Sequence, residues 1–123
     1  MELIKCSNLP GAHWDAILEI RNENREGFGD SSMIHCKYMF KNFSNYLLCI
    51  ERNEVLGFIG HVNNDIRLAT KKVHQKKGIG KFMVVGFMEK YSQSFAKIKL
   101  DNEASLNLFE SCGFKKKYYI LEK

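Results

Sequence analysis

Three consecutive segments in the middle of the chain are rich in apolar residues, Tyr46–Glu51, Val55–Val62 and Ile66–Val73, and apolar residues alternate with polar or small ones over Ile66–Thr70. A period of two residues is typical of half-buried strands. The two short connections, Arg52-Asn53-Glu54 and Asn63-Asn64-Asp65, contain the Asn and Asp residues that tolerate a left-handed backbone in tight turns. The pattern therefore predicts a three-stranded antiparallel meander.

Four other segments repeat their apolar residues every three to four positions, which is typical of helices with one buried face. They run from His13 to about Arg25, over Ser32–Phe43, over about Gly80–Ser92 and over Ala104–Ser111. Three short segments with many apolar residues are predicted as further strands: Glu2–Leu9, Phe95–Leu100 and Phe114–Leu121. The resulting order, βααβββαβαβ, predicts an α/β protein.

A chain of 123 residues suits one compact domain, residues 1–123, and its 45% of apolar residues can fill one core. No apolar segment is long enough to cross a bilayer, and the N-terminus lacks the apolar run of a signal peptide. We therefore expect a cytoplasmic protein with no membrane partner. The four cysteines and four histidines are scattered along the chain, so we expect free thiols and no metal site.

The stretch Val73–Lys81 reads Val-His-Gln-Lys-Lys-Gly-Ile-Gly-Lys and lies between a predicted strand and a predicted helix. Glycines let a backbone approach a ligand closely, and the first amides of a helix attract anions. Five lysines surround this loop: Lys71, Lys72, Lys76, Lys77 and Lys81. The stretch predicts a phosphate-binding loop, although a tight turn with no ligand also fits so short a motif.

A second motif occupies residues 102–114, which read Asn-Glu-Ala-Ser-Leu-Asn-Leu-Phe-Glu-Ser-Cys-Gly-Phe. Together with Gln75, Gly78 and Gly80 in the glycine loop, it resembles the GNAT superfamily of N-acetyltransferases. The resemblance extends over roughly residues 55–120. It implies a single-domain fold in which helices flank a mixed, mostly antiparallel sheet with a central splayed strand.

The same resemblance implies that the chain binds acetyl-coenzyme A as a co-substrate and uses no metal. The strand Ile66–Val73 would pair with the pantetheine arm, with Leu68, Ala69 and Thr70 nearest the thioester. The pyrophosphate would lie on the glycine loop, at Gln75, Lys76, Lys77, Gly78, Ile79, Gly80 and Lys81. Three residues of the second motif would complete the cofactor site: Asn102, Ser105 and Phe109.

Two residues of the second motif have more than one interpretation. Asn102 can cap the helix that follows it, and it can do so while it contacts the cofactor. Phe109 stands where family members often have a Tyr whose hydroxyl protonates the leaving thiolate, and a phenyl ring has no proton to give. Either water or another residue then protonates coenzyme A, or the chain transfers acetyl groups inefficiently.

The attacking amine must lose a proton, so a base is needed near the ends of the strands. The candidates are His61, beside the strand that would splay, and Glu26, in the segment that covers the acceptor site in relatives. A packed or surface histidine and a solvated carboxylate are the structural alternatives for these two residues. Arg21, Arg25 and Tyr38 are the predicted acceptor-binding residues, because the acceptor binds against the first two helices in relatives.

These observations predict an enzyme that moves an acetyl group from acetyl-coenzyme A to a primary amine of a small molecule, such as an amino sugar. The amine would attack directly in a ternary complex. Two alternatives stay open: a non-catalytic coenzyme A-binding or regulatory module, and a protein N-acetyltransferase. The net charge of +5 also permits a polyanion-binding domain, but no nucleic-acid motif is present, so nucleic acid is not the expected partner. We expect a monomer or a homodimer.

Overall fold

The computed structural model describes residues 1–24, 32–42 and 45–123. The described residues form four strands, a short 3-10 helix and four α-helices. The strands are β1 (Glu2–Lys5), β2 (Leu47–Glu51), β3 (Glu54–Val62) and β4 (Asp65–Thr70). The helices are α1 (Gly11–Glu23), α2 (Met33–Asn42), α3 (Ile79–Lys90) and α4 (Glu103–Ser111), and the 3-10 helix is Lys72–His74.

The strands lie in the order β1-β2-β3-β4, and each pairs antiparallel with its neighbour. Tight two-residue turns join β2 to β3 and β3 to β4. Arg52, Asn53, Asn63 and Asn64 have positive φ angles between 52° and 68°, as the mirror-image hairpin turns require. The predicted meander is therefore confirmed.

The sheet has a layer of helices on each face, because its strands are apolar on both sides. Leu48 and Phe58 point to one face, where they form a core cluster with residues of α1 and α2. Cys49 and Ile59, each one position further along, point to the opposite face and pack with α3 and α4. This three-layer arrangement confirms the predicted α/β class.

Two of the predicted strands, Phe95–Leu100 and Phe114–Leu121, are wrong. Phe95 forms one parallel bridge with Asp65, and its neighbours along the chain are irregular. At this bridge the Ile66 N–H donates to the Phe95 carbonyl and the Phe95 N–H donates to the Asn64 carbonyl, each at 2.8 Å. Beyond it, residues 96–100 form no further bridge with β4.

The C-terminal segment has no strand beside it. Its apolar side chains are exposed, among them Tyr118 and Leu121, each at 91%. Apolar and β-branched residues form a strand only where an open edge accepts them. Residues 96–100 form no strand, so they offer the segment from Phe114 onward no edge to pair with.

Candidate functional site

The loop between β4 and α3 leaves its backbone donors free. The first hydrogen bond of α3 joins the Phe82 N–H to the Gly78 carbonyl at 3.0 Å. Before it, the Gln75 N–H bonds back to the Lys72 carbonyl. Within the described part of the chain, none of the six amides from Lys76 to Lys81 donates a hydrogen bond. Six consecutive donors at a helix N-terminus suit an anionic ligand.

The two glycines of this loop have different structural roles. Gly78 has a φ of 80°, and a Cβ there would meet nothing within 4 Å, so its conformation rather than its size requires glycine. Gly80 lies in the first turn of α3, where a Cβ would be 3.1 Å from the Leu108 Cδ2 atom. Gly80 therefore allows α4 to pack closely on the start of α3, and this brings the second motif beside the loop.

The outer edge of β4 is open over most of its length. The Ile66 N–H points away from β3 to Phe95, whereas the Lys71 N–H points back to the Leu56 carbonyl of β3 at 2.8 Å. Backbone groups alternate between the two sides of a strand, so those of Leu68 and Thr70 also point away from β3. Residues 96–99 do not pair with them. The predicted thioester residues Leu68, Ala69 and Thr70 thus lie along an edge that no strand pairs with.

The end of α1 lies against the end of this edge. The Asn24 side-chain amide donates to the Thr70 carbonyl at 3.3 Å, and Gln75 Nε2 lies 3.5 Å from the same oxygen. The Glu23 carboxylate accepts a hydrogen bond from the Lys72 N–H at 3.2 Å. Sequence reasoning missed the contacts of Asn24 and Glu23, because partners more than forty residues apart leave no local pattern.

A second acidic residue, Glu54, follows the β2–β3 turn and contacts the segment that leads into the loop. The Oε2 atom of Glu54 lies 3.0 Å from His74 Nε2 and 3.3 Å from Lys71 Nζ. These hydrogen bonds, from His74 first and Lys71 second, lower the pKa of Glu54. Lys71 is thus occupied by an ion pair, whereas Lys76, Lys77 and Lys81 have exposed side chains around the free amides.

The second motif lies next to the loop with Asn102 as the N-cap of α4. The Asn102 Oδ1 atom accepts a hydrogen bond from the Ser105 N–H at 3.1 Å, so the cap that the sequence suggested is present. Phe109 is buried, and its ring makes an edge-to-face contact with Phe114 at 5.1 Å between centroids. The contacts of Asn102, Ser105 and Phe109 with a cofactor stay predictions.

His61 lies on the face of the sheet that α3 covers. Its ring makes edge-to-face contacts with Phe87 and Tyr91, at 5.7 and 5.3 Å between centroids. Its Nδ1 atom accepts a hydrogen bond from the Asn64 N–H at 3.3 Å, so the neutral ring has its proton on Nε2. The histidine is therefore packed against α3, on the opposite face from α1 and α2.

The predicted acceptor-binding residues separate in the structure. Arg21 is buried on α1, close enough to Cys36 for its charge to act on the pKa of that thiol. Tyr38 is on α2 and is 60% exposed. Arg25, and the catalytic candidate Glu26, lie outside the described residues.

Burial makes the thiols of three cysteines unreactive. Burial raises the pKa of Cys6 to about 12 and that of Cys49 to about 11, and it also raises the pKa of Cys36. The thiolate is the nucleophilic form, so these three side chains are poor nucleophiles at neutral pH. Among the residues described, no group of three or more His, Cys, Asp and Glu side chains is placed to hold a metal ion. None of the described helices is both long and apolar enough to span a membrane.

A model of the acetyltransferase (GNAT) family matches residues 14–114 of this chain. The comparison with curated proteins found no match. Among solved structures, the ribosomal-protein-alanine N-acetyltransferase from Brucella melitensis is similar, with a TM-score of 0.81, 16% sequence identity, and coverage of 94% of this chain and 85% of that chain.

Two further similar structures contain the cofactor of their enzymes. The phosphinothricin acetyltransferase from Sinorhizobium meliloti, in complex with acetyl-coenzyme A, has a TM-score of 0.73, 18% identity, and coverage of 93% of this chain and 74% of that chain. The diaminobutyrate acetyltransferase from Paenibacillus lautus, in complex with L-2,4-diaminobutyric acid and coenzyme A, has a TM-score of 0.66, 18% identity, and coverage of 89% and 74%. At these identities the likeness establishes the fold.

Proposed function

Because the chain belongs to the GNAT family of acetyltransferases, we propose that it transfers the acetyl group of acetyl-coenzyme A to a primary amine of a small molecule. The observation that carries this proposal is the run of free amides from Lys76 to Lys81, next to the open edge of β4. The amides suit a diphosphate, and the edge suits an extended chain with amide groups.

The loop supplies the affinity for the nucleotide end of the cofactor. Its amides would bind the pyrophosphate oxygens, and the side chains of Lys76, Lys77 and Lys81 would add charge-assisted contacts. The left-handed backbone at Lys76 (φ 65°) and Gly78 (φ 80°) sets the course of the loop before α3 begins. Glu23 and Glu54 hold the preceding turn by their bonds to Lys72 and to Lys71 and His74.

The edge of β4 would bind the pantetheine arm. An extended ligand with amide groups can add to a sheet edge as a strand does. The outward backbone groups of Leu68 and the Thr70 N–H would be the donors and acceptors for it, because the Thr70 carbonyl already accepts from Asn24. The side chains of Asn24 and Gln75 approach the carbonyl of Thr70, the last residue of β4, so they mark the end of the pantetheine-binding edge that lies next to the loop.

When bound, acetyl-coenzyme A supplies the acetyl group as a thioester. The amine nitrogen forms the new C–N bond, the C–S bond breaks, and the proton of the amine leaves to a base. His61 and Glu26 stay the predicted bases, although His61 packs on Phe87 of α3, on the opposite face of the sheet from α1 and α2. Phe109 has no proton to give, so water or another residue would protonate the thiolate.

A thiol-release assay with acetyl-coenzyme A tests the proposal. The acceptor panel should contain diamines, amino acids, amino sugars, and a peptide with a free N-terminal alanine. We expect thiol release above the hydrolysis blank with at least one small-molecule amine. Release with the peptide alone would instead support the protein N-acetyltransferase.

The position of Phe109 favours a second candidate, a coenzyme A-binding module without chemistry. Its buried ring offers no acid at the point where family members often have a tyrosine hydroxyl. Isothermal titration calorimetry distinguishes the two functions. Tight binding of acetyl-coenzyme A together with no thiol release for any amine would support the module and contradict the enzyme.

A further inference from the structure

A row of three residues crosses the sheet on the face that α1 and α2 cover. Leu47 pairs with Ile59, so Tyr46, one position earlier, lies opposite Gly60 of β3. Gly60 in turn pairs with Arg67 of β4. Tyr46, Gly60 and Arg67 thus lie side by side on three neighbouring strands, and the last of them is the strand with the open edge.

Gly60 allows the ring of Tyr46 to lie directly over β3. A Cβ at Gly60 would be 2.5 Å from the Tyr46 ring, closer than any real contact. Phe40 stacks on the same ring, with centroids 4.3 Å apart and planes at 17°. The ring of Tyr46 is 4% exposed and held in one orientation by these two neighbours.

The hydroxyl of Tyr46 is a hydrogen-bond donor in a positive environment. Burial raises its pKa to about 12, and the charges of Arg67 and Arg21 act in the opposite direction. The phenol therefore keeps its proton at neutral pH. Because the Tyr46 ring lies over Gly60, the pairing partner of Arg67, the ring and the Arg67 side chain share one face of the sheet.

The guanidinium group of Arg67 has hydrogen-bond donors that a ligand could use. Its Nη2 atom lies 3.3 Å from the Asp65 carboxylate, whose other oxygen accepts a hydrogen bond from the Lys97 N–H. Its Nε and Nη1 atoms have no hydrogen-bond partner among the described residues, and the side chain is 43% exposed. Arg67 lies on the same face as Ala69, two positions further along the strand, which is buried against the α1 side of the core.

We propose that the acceptor amine also carries a carboxylate, and that Arg67 and the Tyr46 hydroxyl bind this carboxylate. The proposal rests on the proposed function, because it assigns the acceptor class of the same site. A guanidinium group matches a carboxylate in a planar, two-bond geometry. A monoanion suits this place better than a phosphate dianion, because the Asp65 carboxylate already neutralises part of the charge of Arg67.

The strand geometry limits the length of the acceptor. A rise of about 3.3 Å per residue puts Arg67 roughly 7 Å from Ala69 along β4. An amine that reaches the thioester beside Ala69 therefore stands several bonds from the carboxylate. Diamino acids with an amine on the side chain fit this spacing.

Pairs of acceptors that differ only by the carboxylate test the proposal. The pairs are 2,4-diaminobutyrate with 1,3-diaminopropane, ornithine with putrescine, and lysine with cadaverine. We expect kcat/KM to be roughly tenfold or more higher for the carboxylated member of the best pair, as a hydrogen bond to a charged group allows. Arg67→Gln should remove this preference by raising KM for the carboxylated acceptor while KM for acetyl-coenzyme A stays unchanged.

Three variants separate acceptor binding from a structural effect. Tyr46→Phe keeps the ring on Gly60 and Phe40 and should weaken only the carboxylated acceptor, by several-fold. Arg67→Lys should restore part of the preference that Arg67→Gln loses. Arg52→Gln, in the exposed β2–β3 turn, is the charge-matched control and should change neither KM.

The outcomes distinguish this inference from the function on which it rests. Thiol release without preference for the carboxylated acceptors, or an equal loss for both members of a pair in Arg67→Gln, overturns the inference alone. No thiol release with any amine overturns the proposed function, and the inference with it.

Discussion

Glu54 and His74 join the β2–β3 turn to the loop before α3, with 3.0 Å between Oε2 and Nε2. Glu54 begins β3, and His74 ends the 3-10 helix that leads into the free amides. Because Lys71 contacts the same carboxylate oxygen at 3.3 Å, one acidic side chain holds both ends of this short helix. The loop is thus positioned by a side chain from a distant part of the chain.

This contact predicts a pH-dependent stability. The bonds from His74 and Lys71 lower the pKa of Glu54 below its ordinary value of 4.5. A carboxyl group with a lowered pKa in the folded state stabilises the fold above its ordinary pKa, and this stabilisation is lost as the pH falls through the folded-state pKa. We expect Glu54→Gln to lower Tm slightly at neutral pH, and the difference from the native protein to shrink below pH 4.5 and to vanish below the folded-state pKa of Glu54. Thermal unfolding across this range measures it.

The control for this prediction is Glu122→Gln, an exposed carboxylate near the C-terminus. It should leave Tm unchanged at every pH. A Tm difference for Glu54→Gln that persists unchanged in acid would show that the carboxylate charge is not what stabilises the loop.

Gly78 and Gly113 form a matched pair for testing the loop. Both have positive φ angles, 80° and 93°, and a Cβ at either would meet nothing within 4 Å. Alanine at each position should therefore cost a similar amount of stability, about 1–2 kcal/mol. Only Gly78→Ala changes the backbone beside the free amides, so only this variant should raise the Kd for acetyl-coenzyme A in calorimetry. An equal rise in Gly113→Ala would refute the role of the loop.

Gly60 is predicted to be required for packing. A Cβ there would clash with the Tyr46 ring at 2.5 Å, so Gly60→Ala should destabilise the protein by about 1–3 kcal/mol in chemical denaturation. In a Tyr46→Ala background the clash is absent, and the same substitution should cost much less. Additive effects of the two substitutions would contradict the contact. Gly11→Ala, where a Cβ meets nothing within 4 Å, is the unstrained control.

Asn102 is predicted to stabilise α4 as its N-cap. Asn102→Ala removes the acceptor for the Ser105 N–H and should cost about 0.5–2 kcal/mol, whereas Asn102→Ser should keep most of the stability. Asn107→Ala, on the exposed side of the same helix, serves as the comparison. If Asn102→Ser retains the stability of the native protein but binds acetyl-coenzyme A more weakly, the predicted second role of Asn102 is supported. Unchanged stability in Asn102→Ala would exclude the cap.

Local sequence was sufficient for the meander and the glycine loop. The run of apolar and small residues in Val55–Val62, and the Asn pair at residues 63–64, act through the backbone preferences of a few adjacent residues. The same holds for the left-handed turn at Gly78 and for the cap at Asn102. The two motifs that these residues belong to identified the family, because their types and spacing can be read without knowing any distant contact.

The tertiary structure decided which distant residues meet. The contacts of Glu54 with His74, of Glu23 with Lys72 and of Asn24 with Thr70 join segments that share no local pattern. The packing of Phe87 and Tyr91 on the His61 ring depends on which helix covers that face of the sheet. Apolar content alone also failed for the last two predicted strands, because a strand needs a partner, and residues 96–100 form no bridge with β4 beyond the one at Phe95.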